Sequence, residues 1–364
     1  MVKLLKILMP VEYVLVLFGA LTCALYRYFD LLMPGQPGAG ATSGPLLFYL
    51  KQFLTCLDLY ALVLLAAIFL KLIGEVRRVN WKFRAVAWRP FWLMTLERFT
   101  LGQIFQDIRF FHAVLLMFVE FALLKNLVPN VNARLYDDLF IASDRYLCGG
   151  MVCSEVLFKL WGASALDQIS KHYFWYYPYM SLTAFTFIAV APRRLAQEYL
   201  CGFVLLFLVG ILWIYAVPTL GPVYIYPELF RFMQGGEISG LQESLWRMRD
   251  LLSENPRSQE GVFMISGFPS LHVAVAIMGS IYLRHIHPLL SWLSWIFTLL
   301  IFNSTIYLGW HYLLDDLGSV LLVVLCIPLA KRVSWRWWGA TDVDPVAERN
   351  RSWAFYGKGD KAPG

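Results

Sequence analysis

Charge is what this sequence has least of. Asp, Glu, Lys and Arg make up 15% of its 364 residues, whereas a soluble domain carries about 25%. That shortage excludes an ordinary water-soluble globule. A nucleic-acid partner is excluded by distribution: the net charge of +6 is spread over short basic clusters between apolar runs, and no domain is left over to carry a binding face. No His, Cys, Asp or Glu cluster has metal-ligand spacing, so metal-free chemistry without a cofactor is expected. There is no internal repeat. The six cysteines form no framework. Cys23, Cys56, Cys201 and Cys326 lie in apolar runs and read as small core residues. Cys148 and Cys153 flank a Gly-Gly pair, a spacing that leaves a bridge and two free thiols both open.

What is abundant is apolar: 59% hydrophobic residues and 16% aromatic. The aromatic excess suits rings at two membrane interfaces. Counting runs of about 20 apolar residues gives spans near 9–32, 47–73, 108–128, 173–191, 198–218, 269–287, 289–309 and 312–330. Lys3 and Lys6, the stretch 71–89, Arg193 and Arg194, Arg284, and the tail 331–336 then all fall on one side. By the positive-inside rule that side is the cytoplasm, and it holds both termini. The expected fold is an all-α integral membrane protein of about eight transmembrane helices, its catalytic core made mainly by the last five. Residues 1–130 supply N-terminal spanning and interfacial helices, and 131–364 the catalytic domain. The outer loops are a Gly/Pro-rich piece at 33–45, an amphipathic segment at 129–172 that suits helices lying on the membrane, and a polar segment at 219–266 with a short helix near 241–252. Residues 81–106 read as another interfacial helix, interrupted by Arg84, Arg89, Glu97 and Arg98.

Two stretches carry chemistry. Gly267-Phe268-Pro269-Ser270-Leu271-His272 opens the sixth span, and the segment from Ser304 to Asp315 joins the seventh to the eighth. The topology puts both at the outer face. His311 and Asp315 are four apart and share a helix face, so the carboxylate can accept from one ring nitrogen and leave the other free to attack phosphorus. His272 falls in a first helical turn, placed to protonate a departing oxygen. Pro269 suits the first helical position, Gly267 permits close approach, and the free N–H groups of the helix start favour a phosphate. His285 and His287, on the other side, read as interfacial residues bonded to the backbone. Asp316 points about 100° from Asp315, so it reads as a cap or a headgroup-facing residue.

G-F-P-S-L-H and S-T-x5-H-Y-L-L-D resemble the second and third signature motifs of the type 2 phosphatidic acid phosphatase superfamily. The resemblance implies a helical bundle, a covalent phosphohistidine on His311, Asp315 as its orienting partner and His272 as general acid. Residues 137–150, the turn Pro218-Thr219-Leu220-Gly221-Pro222 and the His311-Tyr312 pair resemble the inositol phosphorylceramide synthase branch and its bacterial relatives. That implies a bacterial cytoplasmic membrane and a site on its periplasmic side. Thr305 stands where the family usually has a phosphate-gripping Arg. The family's first motif has a literal match at Lys82 to Pro90, rejected because it lies far before the second motif and on the other side of the membrane. A phosphate dianion still needs cations or N–H donors. The substrate-binding candidates are Ser270, Gly267, Tyr224, Arg231 and Arg247, with Arg249, Lys159, Arg145, Lys171 and Tyr226 behind them.

The expected activity is therefore lipid phosphotransfer at the outer face, after the pattern of inositol phosphorylceramide synthase headgroup transfer. Its partners are a phosphorylated lipid donor and a lipid hydroxyl or water as acceptor. A lipid phosphate phosphatase is the alternative, and a transporter or non-catalytic scaffold the remote one.

Overall fold

The computed structural model describes residues 8–31, 44–78, 100–254 and 266–337, together with positions 81, 88, 89 and 92. Every regular element in that set is helical. The main helices are α1 (Pro10–Tyr28), α2 (Gly44–Arg78), α3 (Leu101–Asn126), α4 (Asp137–Leu147), α5 (Cys153–Trp161), α6 (Leu166–Phe174), α7 (Tyr176–Val190), α8 (Arg193–Ala216), α9 (Glu237–Glu254), α10 (Leu271–Leu283), α11 (Pro288–Tyr307) and α12 (Leu313–Trp337). Their starts follow local chemistry. α1 and α11 each open on a proline, whose missing N–H would have had no intrahelical partner. Glu12 accepts from the Met9 N–H at 2.8 Å, and His287 Nδ1 accepts from the Leu289 N–H at 3.1 Å, the backbone role expected of that histidine.

Among the described residues, four helices are long and apolar enough to cross a membrane: α1, α8, α11 and Leu313–Ser334 of α12. Helices α2, α3, α7 and α10 cover the other expected spans; α3, α7 and α10 do not meet that measure, and part of α2 has side chains outside the described residues. α3 carries Asp107, Arg109, Glu120 and Lys125. α10 has 13 residues; at about 1.5 Å per residue it reaches roughly 20 Å, short of a hydrocarbon core of about 30 Å. The span expected over 173–191 is broken at Trp175, where α6 ends and α7 begins.

α8 is the axis of the bundle. Buried side chains occupy 78% of its apolar window, against 28% for α1, as befits a helix apolar all round. Polar contacts fix the helix directions. Arg109 Nε donates to Glu12 Oε1 at 2.7 Å near the starts of α3 and α1, and the Tyr26 hydroxyl donates to the Leu123 carbonyl at 3.1 Å near their ends, so these helices run parallel. The Tyr215 hydroxyl on the last turn of α8 donates to the Leu124 carbonyl at 2.7 Å. At the other end, Tyr282 on α10 donates to Glu198 on α8 at 2.8 Å, and Lys331 on α12 lies 3.9 Å from the same carboxylate. One end of the bundle thus gathers the C-termini of α1, α3 and α8 with the N-termini of α10 and α12.

The segment expected on the membrane surface packs over that end. Asp137, Phe140, Ile141 and Asp144 form the buried face of α4. Trp161 Nε1 donates to Asn303 Oδ1 at 2.9 Å, and the Tyr307 hydroxyl donates to the Gly162 carbonyl at 2.8 Å, tying the end of α5 to α11. The helix expected near 241–252 is α9 and is longer at both ends. Cys148 and Cys153 are joined in a disulfide. Cys201 and Cys326 are buried as expected, but Cys23 is exposed, because the α1 face that carries it turns away from the bundle. The Cys56 side chain, most of the 33–45 loop and most of the Lys82–Pro90 match lie outside the described residues.

Candidate active site

Backbone pairing brings the two histidine stretches together. The N–H groups of Ser266 and Gly267 both donate to the Thr219 carbonyl, at 2.9 and 3.0 Å. Gly309, at φ +68°, turns the chain so that the Trp310 and His311 N–H groups donate to the Thr305 carbonyl at 2.9 and 3.2 Å. The Ser270 N–H donates to the Asp315 carbonyl at 3.0 Å, and Ser319 Oγ donates to the Ser270 carbonyl at 2.5 Å. The start of α10 is thereby fastened to the first turn of α12.

Two buried carboxylates on α4 hold the frame. Asp137 and Asp144 are seven apart, so both face inward. Asp137 accepts from the Leu220 and Gly221 N–H groups, at 3.0 and 3.1 Å, and from the Tyr312 hydroxyl at 2.8 Å. Asp144 accepts from the Leu313 N–H at the start of α12 at 3.0 Å and from the Cys153 N–H at 3.2 Å. Burial pushes Asp144 up to about 6 and raises Asp137, with these hydrogen bonds opposing the rise in both. Replacing Asp144 by alanine leaves two N–H groups unsatisfied, at roughly 1–3 kcal/mol each. Its thermal unfolding in detergent should fall accordingly; an unchanged melting temperature would count against this bracing role.

The histidine geometry fixes the ring protons. Ser266 Oγ donates to the Trp310 carbonyl, so at 3.1 Å from His311 Nδ1 it can only accept. Asp315 Oδ2, 3.3 Å from the same nitrogen, also accepts. His311 Nδ1 therefore carries the hydrogen and Nε2 the lone pair. Nε2 lies 3.4 Å from His272 Nδ1, which must then be the donor, and His272 Nε2 accepts from the Tyr173 hydroxyl at 3.3 Å. Burial, and after it the Lys125 charge, hold the His311 imidazole well below its ordinary 6.5, near 3, so it is neutral. Asp315 Oδ2 further accepts from the Tyr312 N–H at 3.0 Å, which anchors the carboxylate independently of the histidine.

A cavity of about 280 Å³ opens on this pair. Its polar wall is Lys125, Tyr173, Ser266, His272 and His311; Phe118, Phe121, Met180, Phe207 and Leu271 make it mostly apolar. The sequence-derived residues are thus sorted. His272, His311 and Asp315 come together. Gly267 and Ser270 do not line the cavity. Gly267 sits at φ +71° with Ile214 where a Cβ would go, 2.6 Å away, and Ser270 is fully buried at the α10–α12 junction. Tyr224 and Arg247 line a separate cavity of about 450 Å³ beside α9. Arg231 is exposed and lines neither. Lys171 pairs with Asp167 at 3.0 Å, Arg145 and Arg249 lie over the rings of Tyr226 and Trp246, and Lys159 contacts Met151 Sδ. Asp316 faces neither solvent nor headgroups: it is buried and accepts from Thr305 Oγ1 at 2.9 Å. Thr305 therefore points away from the cavity.

Sequence reasoning missed Lys125, Ser266, Tyr173 and the structural role of Asp137 and Asp144. A lysine in the last turn of an apolar run reads as a residue reaching for the interface, and only the tertiary fold turns Lys125 inward. Gly221, at φ +95°, would place a Cβ 2.5 Å from the Trp310 carbonyl. Gly221→Ala should cost on the order of 1–3 kcal/mol in backbone strain and displace the loop that carries His311. Lower thermal stability together with lost turnover would show this, and wild-type values for both would refute it.

The fold and the site define an all-helical protein of membrane type, with paired histidines, one backed by a carboxylate, at one end of its bundle. Residues 151–329 match the family model of the PAP2 superfamily, a stretch that contains His272, His311 and Asp315 and excludes α1 to α4. That match supports phosphatase- or phosphotransferase-type activity in general. Searches of curated proteins and of solved structures returned no match.

Proposed function

We propose that this chain is a membrane-embedded lipid phosphotransferase working through a phosphohistidine at His311. The observation that carries the reading is the His311 Nε2 lone pair, which accepts from a second histidine, His272, where both line a mostly apolar cavity. His311 Nε2 forms a bond to the phosphorus of a lipid phosphoester as the bond to the leaving oxygen breaks. On donor binding His272 takes up a solvent proton and becomes an imidazolium; the leaving oxygen takes that proton, and His272 returns to the neutral imidazole. In the second half, His272 removes the proton of the acceptor hydroxyl, whose oxygen bonds to phosphorus and releases His311. The resting ring nitrogens are 3.4 Å apart, too close to admit phosphorus between them, so the His272 ring swings aside when the donor binds.

Mostly apolar walls favour a lipid hydroxyl over water as acceptor, in keeping with headgroup transfer of the inositol phosphorylceramide synthase kind. An outer-leaflet location is supported by the basic residues at the opposite end of the bundle, Arg193, Arg194, Arg284 and Lys331, which the positive-inside rule assigns to the cytoplasm. The deciding experiment incubates the purified protein with labelled phospholipids, with and without ceramide or diacylglycerol. A new labelled lipid supports transfer, release of free phosphate means hydrolysis through the same intermediate, and no reaction with any donor overturns the reading.

A further inference from the structure

Phosphoryl transfer concentrates negative charge on the non-bridging oxygens, and an apolar cavity without a cation cannot stabilise it. His311 is neutral, and the resting hydrogen bonds account for His272 as a neutral imidazole as well. Thr305 is committed to Asp316. Among the described residues, Lys125 is the one Lys or Arg that lines the cavity, and no carboxylate lines it. The Lys125 ammonium lies 5.8 Å from the centroid of the Phe121 ring, and no carboxylate pairs with it among the described residues. Holding an unpaired cation in an apolar wall at a helix end is costly, and an anionic ligand offsets that cost.

We infer that Lys125 is the phosphate-binding residue of this site, supplied by α3, outside the segment that matches the PAP2 superfamily. The inference rests on the phosphotransfer reading above and adds to it the group that takes the substrate's charge. The last turn of α3 places the ammonium in the same cavity as Ser266, His272 and His311. There it meets the phosphate from the α3 side while His311 attacks from the loop before α12. The Lys125 charge reaches the nucleophile: it is the second cause, after burial, of the lowered His311 basicity. The N-terminal helices are then part of the catalytic unit and not a separate anchor.

The test uses the full-length protein in detergent and orthovanadate, a mimic of five-coordinate phosphorus, with labelled phosphatidic acid in micelles as the turnover probe. Lys125→Met should weaken vanadate binding, read as a thermal shift, and lower kcat/KM on the order of 10²–10³-fold. Lys125→Arg should recover most of both. Removing a buried, unpaired charge should leave the Lys125→Met melting temperature at or above that of the wild type; Lys125→Gln is the second neutral variant should the first fail to fold. Lys159→Ala, a lysine outside the cavity, is the control and should change neither reading. If both neutral variants bind vanadate and turn over as the wild type does while a His311 variant is dead, the Lys125 assignment is overturned and the phosphohistidine mechanism stands. If His311 variants stay active and the wild type ignores vanadate, the mechanism falls and the Lys125 assignment with it.

Discussion

His311→Asn should retain the fold and lose turnover by on the order of 10⁴-fold or more, the scale seen when a covalent nucleophile is removed. Asparagine is the sharper choice over alanine. Its amide can still donate to Asp315 Oδ2 and Ser266 Oγ, as His311 Nδ1 does, but it offers no nitrogen lone pair where Nε2 stands. No labelled phosphoenzyme should be trapped. Activity within tenfold of wild type, or label still held by the variant, would sink the covalent mechanism. A stability measurement on the same variant gives an independent reading. The His311 pKa is depressed in the folded protein from 6.5 to about 3. Its contribution is therefore fully present above the unfolded value and is lost as pH falls from about 6.5 towards 3, where the unfolded chain binds a proton that the folded one refuses. Wild-type stability should decline across that window, and the asparagine variant should show a shallower decline. The nucleophile itself stays unprotonated throughout, so an acid limb in the rate near pH 6 must come from another group.

How much of this could be read from the sequence divides along a physical line. Apolar runs are a one-dimensional signal, and helices α1, α2, α3, α7, α8, α10, α11 and α12 stand over the eight runs. The 39 positions between His272 and His311 needed one further step, that both stretches end at the same depth, and their ring nitrogens meet at 3.4 Å. What failed needed three-dimensional neighbours. Asp316 does lie 100° around the helix from Asp315, but α12 is enclosed at that depth, so both directions are buried. The Asp137–Asp144 spacing marks one helix face in the sequence, yet which backbone N–H groups that face would satisfy depends on the turns at Leu220 and Leu313. Lys125 was invisible for the same reason. The arginines at 231, 247 and 249 drew attention because they sit in an outer loop, but α9 carries two of them away from the cavity towards its own surface and Trp246.

Asp315→Asn should cost the next largest amount, on the order of 10³–10⁴-fold in kcat, and the reason separates charge from geometry. Asp315 Oδ2 accepts both the His311 Nδ1–H and the Tyr312 N–H. An asparagine carbonyl in the same place can accept both, so the ring keeps its orientation and the fold its hydrogen bonds. What disappears is the negative charge. As Nε2 bonds to phosphorus the imidazole becomes cationic, and in an apolar site the charge next to Nδ1 is a large part of what stabilises that cation. The loss should therefore appear in formation of the phosphoenzyme in single-turnover experiments, with KM for the donor little changed. Asp315→Ala removes orientation as well, leaves the buried Tyr312 N–H unpaired, and should add a stability loss of roughly 1–3 kcal/mol. Should the asparagine variant instead form the phosphoenzyme at the wild-type rate, the carboxylate is only a structural acceptor, and stabilisation of the imidazolium must be sought elsewhere in the cavity wall.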